Sequence, residues 1–518
     1  MRVYDKKKQK IIVAGMKGAV GLMRFNLRII LTAIMLIFTA MLQGCSFAGI
    51  SDENLLQPPR ATGVKADIQN LLETTTKGDY KLKYPQNGEN RSAIIMCSEK
   101  GSEQNEAIAF YTTGKDTSVN LAFMNESGGK WSVVSVVTNQ NSEVDRVYLD
   151  DVDNDKKNEI IVGWVSYVSS NNQIIMYDYT GETITPTIIS GDNTAYSDMV
   201  LTDITDDGVT DLLVLNSYMA ADGNQSERGQ STILYSACVN GTFSKVSEIS
   251  MSSSVVSVAK LTVGNIEGNV KALFVDGVTQ NSADELVTQV IYYSKSDQIL
   301  KNPLNVNDAS GESQNITLRK TSTVCKDVDN DGIIEVPSTY LHEVKNGEIP
   351  SAPIIRWYKV MADEDVREVM QTFSNYFDAF YFVLPESWED RVVVSGNNTS
   401  RTTMFYEIIG TDITTSDYEK STETATEQRV ESATIPEIDD SEKREQRETV
   451  LVNSEPLLTI RVFTQKVWKN EGAARLSEGY TVIRNENGLV YTFKKGSSDD
   501  DKMNITSRQI NRSFHIIK

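Results

Sequence analysis

The chain has 518 residues, is 40% hydrophobic and 8% aromatic, and carries a formal net charge of −20 at pH 7. Its length allows two or three domains with sizeable hydrophobic cores, and its acidity would repel a phosphate backbone, so nucleic acid is not expected as a partner. The only histidines are His342 and His515, which leaves little for a histidine-built zinc site or a Ser-His-Asp centre.

The N-terminus has the pattern of a secretory signal. Residues 1–28 contain eight basic side chains and one acidic one, and the apolar run IILTAIMLIFTAM follows at 29–41. A run of this length is shorter than the roughly 20 residues that a membrane-spanning helix needs. The pattern therefore predicts a signal over residues 1–44, with translation starting at Met1 or at Met23, and an uncleaved anchor helix is the alternative.

The next residues, LQGC at 42–45, resemble the lipobox of bacterial lipoproteins. The resemblance implies cleavage before Cys45, a diacylglyceryl thioether on its sulfur, and a chain held by lipid on the extracellular face of the cell membrane. Removal of residues 1–44 would change the formal net charge from −20 to −27. Residues 45–78 are predicted to be a tether that ends in a short amphipathic helix, VKADIQNLLETT at 64–75.

A strand-rich pattern then repeats five times between residues 79 and 375. Each unit holds four short runs of β-branched and aromatic residues, and units begin 52 to 62 residues apart, a length that suits a four-stranded propeller blade. The predicted fold is all-β: a β-propeller, with five four-stranded blades favoured, followed by a small α+β antiparallel-sheet domain over residues 376–518.

Three of the five units carry an acidic loop between their first two strands: DVDNDKKNE at 151–159, DITDDGVTD at 203–211 and DVDNDGIIE at 327–335. Decayed copies begin near Ser98 and Asn265. Acids at positions one, three and five, a carbonyl at seven and an acid at nine would give a calcium ion the oxygen ligands that it takes at about 2.4 Å. The predicted metal ligands are Asp151, Asp153, Asp155, Lys157 and Glu159; Asp203, Thr205, Asp207, Val209 and Asp211; and Asp327, Asp329, Asp331, Ile333 and Glu335.

These loops with their flanking strands resemble the FG-GAP or integrin-type repeats of calcium-binding β-propellers, which implies structural calcium in the blade loops. Two residues depart from the pattern, since Lys156 replaces the glycine and Thr205 replaces the middle acid. An EF-hand is excluded because position twelve holds Val162, Val214 and Ser338, where that motif needs a glutamate. The remaining alternative is that Asp and Gly merely favour tight turns here.

The C-terminal region, residues 376–518, does not continue the repeat and contains a different set of segments. The segments with PESW, LTIRVF and an Asn-Gly hairpin resemble an uncharacterised C-terminal module of clostridial-type surface lipoproteins, which implies no activity. A helix is expected near residues 464–471. Residues 411–450 contain few large apolar side chains and many charged ones, so they are predicted to be a disordered acidic insertion at a hairpin tip.

Two functions are compatible with these patterns. The first is a non-enzymatic, anchored propeller that binds or scaffolds an unknown surface ligand, glycan or protein. The second is a glycoside hydrolase or other carbohydrate-active enzyme, which needs carboxylates from different blades in a central channel. Asp145, Glu159 and Asp198 are the acids that such a channel would recruit, while Cys97, Cys238 and the buried Cys325 suggest no redox chemistry.

Overall fold

The computed structural model describes residues 62–97, 105–114, 117–140, 142–166, 172–179, 184–189, 196–216, 232–239, 242–251, 255–279, 282–305, 315–345, 349–362, 365–415 and 446–517. The predicted signal, Cys45 and the decayed loop near Ser98 lie outside these residues. Contacts divide the chain into two compact units, Met1–Thr75 and Thr76–Lys518. Among the described residues, no helix combines the length and the apolar character that crossing a bilayer requires.

The predicted helix before the repeats is present. Helix α1 covers Val64–Thr76, with Ile68 and Leu72 buried four residues apart on one face. This spacing is that of an amphipathic helix with a narrow apolar stripe.

Five antiparallel sheets follow one another along the chain, and they are numbered here as blades 1 to 5. Blade 1 consists of β1 (Lys81–Leu82), β2 (Ile94–Met96), β3 (Glu106–Thr112), β4 (Val119–Ser127) and β5 (Lys130–Asn139). Blade 2 consists of β6 (Ser142–Asp150), β7 (Glu159–Ser166), β8 (Gln173–Tyr179) and β9 (Ile184–Ile188). Blade 3 consists of β10 (Tyr196–Thr202), β11 (Asp211–Asn216), β12 (Thr232–Val239) and β13 (Thr242–Ser250).

Blade 4 consists of β14 (Val255–Ile266), β15 (Val270–Thr279), β16 (Leu286–Ser294) and β17 (Ile299–Lys301). Blade 5 begins with β18 (Val336–Tyr340), β19 (Ile354–Val360), β20 (Val366–Asn375) and β21 (Phe380–Val383). In blades 2, 3 and 4, each strand pairs with the next strand in sequence, which is the meander of a propeller blade.

Consecutive blades pack face to face through the alternating side chains of their second strands. In β7, Ile160 and Val162 share a core with blade 1, whereas Ile161 between them shares a core with blade 3. Leu212 and Leu213 divide in the same way between the cores on either side of β11. The side-chain period of two therefore buries both faces of these strands, and each large apolar side chain contributes about 1.5–3 kcal/mol.

The four-stranded meanders of blades 2 to 4, together with the five-stranded sheet of blade 1 and with blade 5, confirm the fold class predicted from the repeat, an all-β propeller followed by a small α+β module. The burial of both strand faces also explains why these strands are continuous apolar runs in the sequence. A strand buried on both faces shows little alternation between apolar and polar residues.

Blade 5 differs from the prediction in its first strand. The first of the four runs that the repeat predicts as strands in this unit is TSTV at 321–324, and it forms no ladder. The first strand position is reduced to one antiparallel bridge between Lys326 and Glu335. Side chains of blade 4 hold this segment instead, since the carboxylate of Asp276 accepts a hydrogen bond of 2.9 Å from the backbone amide of Cys325. The other three predicted strands form as β18, β19 and β20.

The C-terminal module is a six-stranded antiparallel sheet with helices. Its strands are β22 (Val392–Asn397), β23 (Thr402–Thr415), β24 (Gln446–Val452), β25 (Leu458–Thr464), β26 (Thr481–Glu486) and β27 (Leu489–Lys495). Its helices are α2 (Gln465–Ser477), which forms where a helix was expected and is capped by Thr464, and α3 (Ser507–Ser513). The Asn-Gly hairpin forms with positive φ at Asn487 and Gly488, which its two-residue turn requires.

Blade 5 and this module share a sheet and an apolar core across the predicted boundary at residue 375. Strand β21 lies beyond that boundary but pairs with β20, and the last strand, β28 (Phe514–Ile516), pairs with β21. One apolar core joins the two parts, with Phe373 and Phe382 on the blade side and Trp388 of the PESW motif on the module side. The chain therefore continues from propeller to module without a linker.

The predicted acidic insertion starts from an ordered hairpin. Residues 411–415 of β23 pair with residues 446–450 of β24, although both segments fall within the stretch expected to be disordered. The rest of that stretch, residues 416–445, lies outside the described residues. The position at a hairpin tip agrees with the expectation.

A buried ion pair fixes the irregular segment before blade 5. Arg319 and Asp276 have fully buried side chains, and the guanidinium donates to the Asp276 carboxylate at 2.7 Å. The same guanidinium donates to the carbonyls of Thr323 at 2.7 Å and Thr317 at 2.8 Å, so it ties the segment to itself and to β15. The thiol of Cys325 lies 3.2 Å from the same carboxylate, and it is buried as predicted.

Removal of this guanidinium should destabilise the fold strongly, because it leaves the Asp276 carboxylate buried without its counter-ion. We expect Arg319→Ala to lower the free energy of unfolding by about 3–5 kcal/mol, as measured by chemical denaturation. The matched control is Arg367→Ala, which removes a solvent-exposed pair with Glu267 at 3.5 Å and should cost at most about 1 kcal/mol. Equal losses for the two variants would contradict the structural role given to Arg319.

Candidate functional site

The acidic loop of blade 2 gathers carboxylates at one point. Asp151, Asp153 and Glu159 each offer an oxygen, and these oxygens lie within 4.8 Å of one another. Glu159 is the first residue of β7 and is buried, whereas Asp153 is half-buried. The loop therefore presents a group of hard oxygen donors that extends from the surface to the start of a buried strand.

The first aspartate organises each of the three loops in the same way. Asp151 accepts hydrogen bonds from the amides of Asp155 at 3.1 Å and Lys156 at 2.9 Å. Asp203 accepts the corresponding bonds in blade 3, and Asp327 accepts them in blade 5. The loops thus share one backbone conformation, which is more specific than a general preference of Asp and Gly for turns.

The glycine position of this loop has positive φ in all three blades. Gly208 and Gly332 have φ of 91° and 87°, while Lys156 of blade 2 has φ of 74°. A side chain at such an angle is strained, because Cβ crowds the backbone. The replacement of glycine by Lys156 therefore strains the backbone of the blade 2 loop but leaves the loop geometry unchanged.

The residues at position seven are placed by the carboxylates at position five. The amides of Lys157, Val209 and Ile333 donate to those carboxylates at 2.7, 2.9 and 3.0 Å. The aspartates in question are Asp155, Asp207 and Asp331. The carbonyls of the position-seven residues are the ones expected to bind a cation.

The buried glutamate at position nine titrates unusually. Burial raises the pKa of Glu159 to about 7, the carboxylates of Asp153, Asp155 and Asp151 add to the rise, and a hydrogen bond from the Val152 amide at 3.0 Å opposes it. The corresponding Glu335 of blade 5 also has its pKa raised to about 7, chiefly by burial. In both loops, the charged carboxylate lacks enough compensation from the loop itself.

Blade 5 gathers the equivalent residues, Asp327, Asp329 and Glu335, within the same 4.8 Å. Here a lysine that sequence reasoning missed enters the cluster. The ammonium of Lys359, on β19, lies 3.3 Å from Asp329 and 3.6 Å from Glu335, and it also contacts Asp331. No local signal identifies this lysine, because it lies on a later strand and reaches the loop only through strand pairing.

One oxygen in this cluster has no hydrogen-bond partner. Oε1 of Glu335 is buried and accepts no hydrogen bond, whereas Oε2 accepts one of 2.8 Å from the amide of Val328. Burial tends to lower the pKa of Lys359, but hydrogen bonds to Asp331 and Asp329 outweigh it and hold that pKa above its ordinary value. Lys359 is therefore a charged ammonium next to a carboxylate oxygen that needs a positive partner.

Blade 3 does not gather three carboxylates in this way. Within the part of the chain that the structure describes, the clusters with this geometry are those of blades 2 and 5. In blade 3 the hydroxyl of Thr205 donates to Asp211 at 3.2 Å, so a neutral donor occupies the place of the middle acid. The amides of Ile204 and Thr205 donate to the same oxygen.

The decayed copy in blade 4 has a structural role. Strands β14 and β15 meet in a short turn there, and the carbonyl of Asn265 accepts a hydrogen bond of 2.9 Å from the amide of Ile334. This bond anchors the end of the blade 5 loop to the neighbouring blade. Asn265 thus supports the blade 5 loop, although Glu267 is the one acid that its own turn retains.

A second site lies where the first strands of blades 2, 3 and 4 converge. These strands and residues 86–91 line an open pocket of about 950 Å³, to which Asp145 and Asp198 contribute from two different blades. Arg146 lies between them, with Nε 2.9 Å from Asp145 and Nη1 in contact with Asp198. Glu159, by contrast, belongs to the acidic loop and does not line this pocket.

The pocket is polar, and its two aspartates are paired with Arg146. Asn87 donates to Asp145 at 2.6 Å, and Arg146 also donates to the carbonyl of Met199 at 3.0 Å. Burial raises the pKa of Asp198, and the positive charge of Arg146 opposes that rise. One guanidinium thus joins blades 2 and 3 and compensates two carboxylates.

Comparisons with known proteins add little. No family model matches the chain, and no curated protein is similar to it. Among solved structures, similarity is found to the Bacillus licheniformis rhamnogalacturonan lyase PL11 (11% identity, 54% of this chain and 65% of that one, TM-score 0.27). Others are the rhamnogalacturonan lyase YesW (11% identity, 61% and 75%, TM-score 0.27) and the Dos1 propeller (9% identity, 80% and 81%, TM-score 0.26).

The chain spans just under two thirds of the length of the first of these lyases. At TM-scores this low, none of the alignments carries an argument about activity. The function must be argued from the residues of the two sites.

Proposed function

We propose that the chain is a lipid-anchored extracellular propeller that binds or scaffolds a surface ligand and holds structural calcium in its blade loops. The observation that carries the proposal is the gathering of Asp151, Asp153 and Glu159 within 4.8 Å at the start of β7. Carboxylates brought this close repel one another, and a divalent cation would convert that repulsion into attraction.

The donor set fits calcium better than other common metals. The ligands are carboxylates and backbone carbonyls, which suit hard cations such as Ca²⁺, whereas zinc and copper favour imidazole and thiolate. Asp151, Asp153, Asp155 and Glu159 would hold the ion together with the carbonyl of Lys157. The ion would supply positive charge and fix the turn between β6 and β7, which is a structural contribution and requires no chemistry on a substrate.

Extracellular calcium is concentrated enough for sites of this class. Extracellular calcium modules have Kd of about 10⁻⁴–10⁻³ M, so a site on the outer face of the cell would be largely filled. The proposal therefore links the metal to the export signal and to anchoring through Cys45. A ligand-binding or scaffolding role is supported by the pairing of Asp145 and Asp198 with Arg146 in the polar pocket.

Calcium should raise the melting temperature of the wild-type protein. Binding to the folded state alone contributes about 2.7 kcal/mol at a calcium concentration 100 times Kd. We expect Asp153→Asn to lose most of this gain and to melt at or above the wild-type temperature in chelator, because one repulsive charge is gone. Thermal melting in chelator and in about 10 mM calcium measures both effects.

The matched control for this measurement is Asp499→Asn, which removes an exposed acid outside the loops and should leave the calcium gain intact. If the wild-type melting temperature is the same in chelator and in calcium, the metal proposal is wrong. A gain that Asp153→Asn retains in full would place the metal elsewhere.

Lipid anchoring is tested by metabolic labelling with a fatty acid. We expect the wild-type protein to carry the label and Cys45→Ser to lose it, because the thioether needs the sulfur. Cys97→Ser is the control and should remain labelled. Membrane association without label in the wild type would favour the alternative of an uncleaved anchor helix.

A carbohydrate-active enzyme is the second candidate, and one observation favours it. Asp145 and Asp198 come from two blades and line the same pocket, as a glycosidase on a propeller would require. The general acid of such an enzyme needs a raised pKa, which Asp198 has. Arg146 argues against this activity, since it pairs with both carboxylates and would have to release one of them.

The two candidates are separated by screening the detergent-solubilised protein against a glycan array and assaying each bound glycan for cleavage. We expect any captured glycan to remain intact, and Asp198→Asn to weaken its capture about tenfold if it occupies the pocket, equivalent to one hydrogen bond to a charged group. Cleavage that Asp198→Asn abolishes would establish the enzyme instead. The control is Asp178→Asn, an exposed acid that does not line the pocket.

A further inference from the structure

The strand that follows each acidic loop pairs with the next strand of its blade. The three loops differ in the residue of that next strand that faces the position-nine acid. In blade 5, Val336 pairs with Tyr358, so the preceding Glu335 faces Lys359. In blade 2, Ile160 pairs with Tyr177, so Glu159 faces Asp178. In blade 3, Leu212 pairs with Ser236, which sets Asp211 opposite Ala237.

Lys359 is built into its loop. Its side chain is only 7% exposed, and it forms ion pairs with Asp329, Asp331 and Glu335. The buried Oε1 of Glu335, which accepts no hydrogen bond, has this ammonium as its nearby positive charge at 3.6 Å. The lysine thus takes up the position among the carboxylates at which a bound cation would be most stabilised.

Blade 2 offers no such residue at the same place. Asp178 is exposed and adds negative charge, and the two lysines of the loop itself, Lys156 and Lys157, are also exposed. A cation for the cluster formed by Asp151, Asp153 and Glu159 would therefore have to come from solution.

We infer that Lys359 is a tethered cation that replaces calcium in the loop of blade 5, so that exchangeable metal binds in the loop of blade 2. This inference rests on the proposed function for the blade 2 site. It reverses the order expected from the loop sequences alone, since blade 5 matches the calcium pattern more completely than blade 2. A second positive ion in the blade 5 cluster would be repelled by the ammonium that already lies there.

The decisive experiment counts bound calcium by isothermal titration calorimetry on the full mature protein. We expect Lys359→Met to bind one more calcium ion per chain than the wild type, with Kd of about 10⁻⁴–10⁻³ M as in other extracellular sites. We also expect this variant to melt at a lower temperature than the wild type in chelator and to recover in calcium. The double variant Lys359→Met with Asp329→Asn should lose the added site.

The reciprocal variant places the same lysine in blade 2. Asp178→Lys should weaken calcium binding by the wild-type site about tenfold or more, because its ammonium would face Glu159 as Lys359 faces Glu335. Asp178 is exposed, so this substitution does not threaten the fold. Asp178→Asn is the control and should retain the site.

These outcomes separate the inference from the proposed function. If the wild type binds no calcium, the proposed function fails, and the count for Lys359→Met still decides the role of the lysine. An unchanged calcium count in Lys359→Met overturns the inference while leaving the blade 2 site intact. If Lys359→Met does not fold even in calcium, Lys359→Gln takes its place, and failure of both variants to gain a site overturns the inference as well.

Discussion

The burial of both faces of each second strand is the constraint on which the rest of this structure depends. Strands β7 and β11 send alternate side chains into two different cores, so blades 2 and 3 are each held by two neighbours. The acidic loops end where these strands begin, and their last acid is the first strand residue in blades 2 and 3. Packing therefore carries a carboxylate into a buried position, and the need for a nearby cation follows from that burial.

The three acidic loops meet this need differently. In blade 5 a lysine from a later strand reaches the buried Glu335, and in blade 3 the hydroxyl of Thr205 and two backbone amides share Asp211. In blade 2 the Val152 amide satisfies one oxygen of Glu159, and the loop itself does not compensate the remaining charge of the cluster. Blade 4 shortens the turn and has no such acid. The three acidic loops therefore preserve a backbone conformation more strictly than they preserve a ligand set.

The sequence predicted elements that depend on neighbouring residues, and it missed contacts between side chains on different strands. The strands of blades 1 to 4, the helix capped by Thr464 and the Asn-Gly hairpin follow from periodicity and turn chemistry within short windows. The reduced first strand of blade 5 does not, because Asp276 and Arg319 of distant segments hold it. Lys359 and Arg146 were missed for the same reason, since each meets its carboxylates only after strands or blades have paired. Spacing along the chain reveals a loop, but not the charge that tertiary packing places in it.

The polar pocket follows the same electrostatic rule as the loops. Arg146 lies between acids of two blades, as Lys359 lies among the acids of one loop, and in both places a tethered cation stabilises carboxylates that packing has brought together. A tethered cation stabilises permanently, whereas a calcium ion stabilises only when it is present. Catalysis by Asp145 and Asp198 would require one carboxylate to exchange its ion pair for a proton, and the loss of that pair would weaken the contact between blades 2 and 3. Binding of a polar ligand requires no such exchange, and we therefore propose recognition for this pocket rather than hydrolysis.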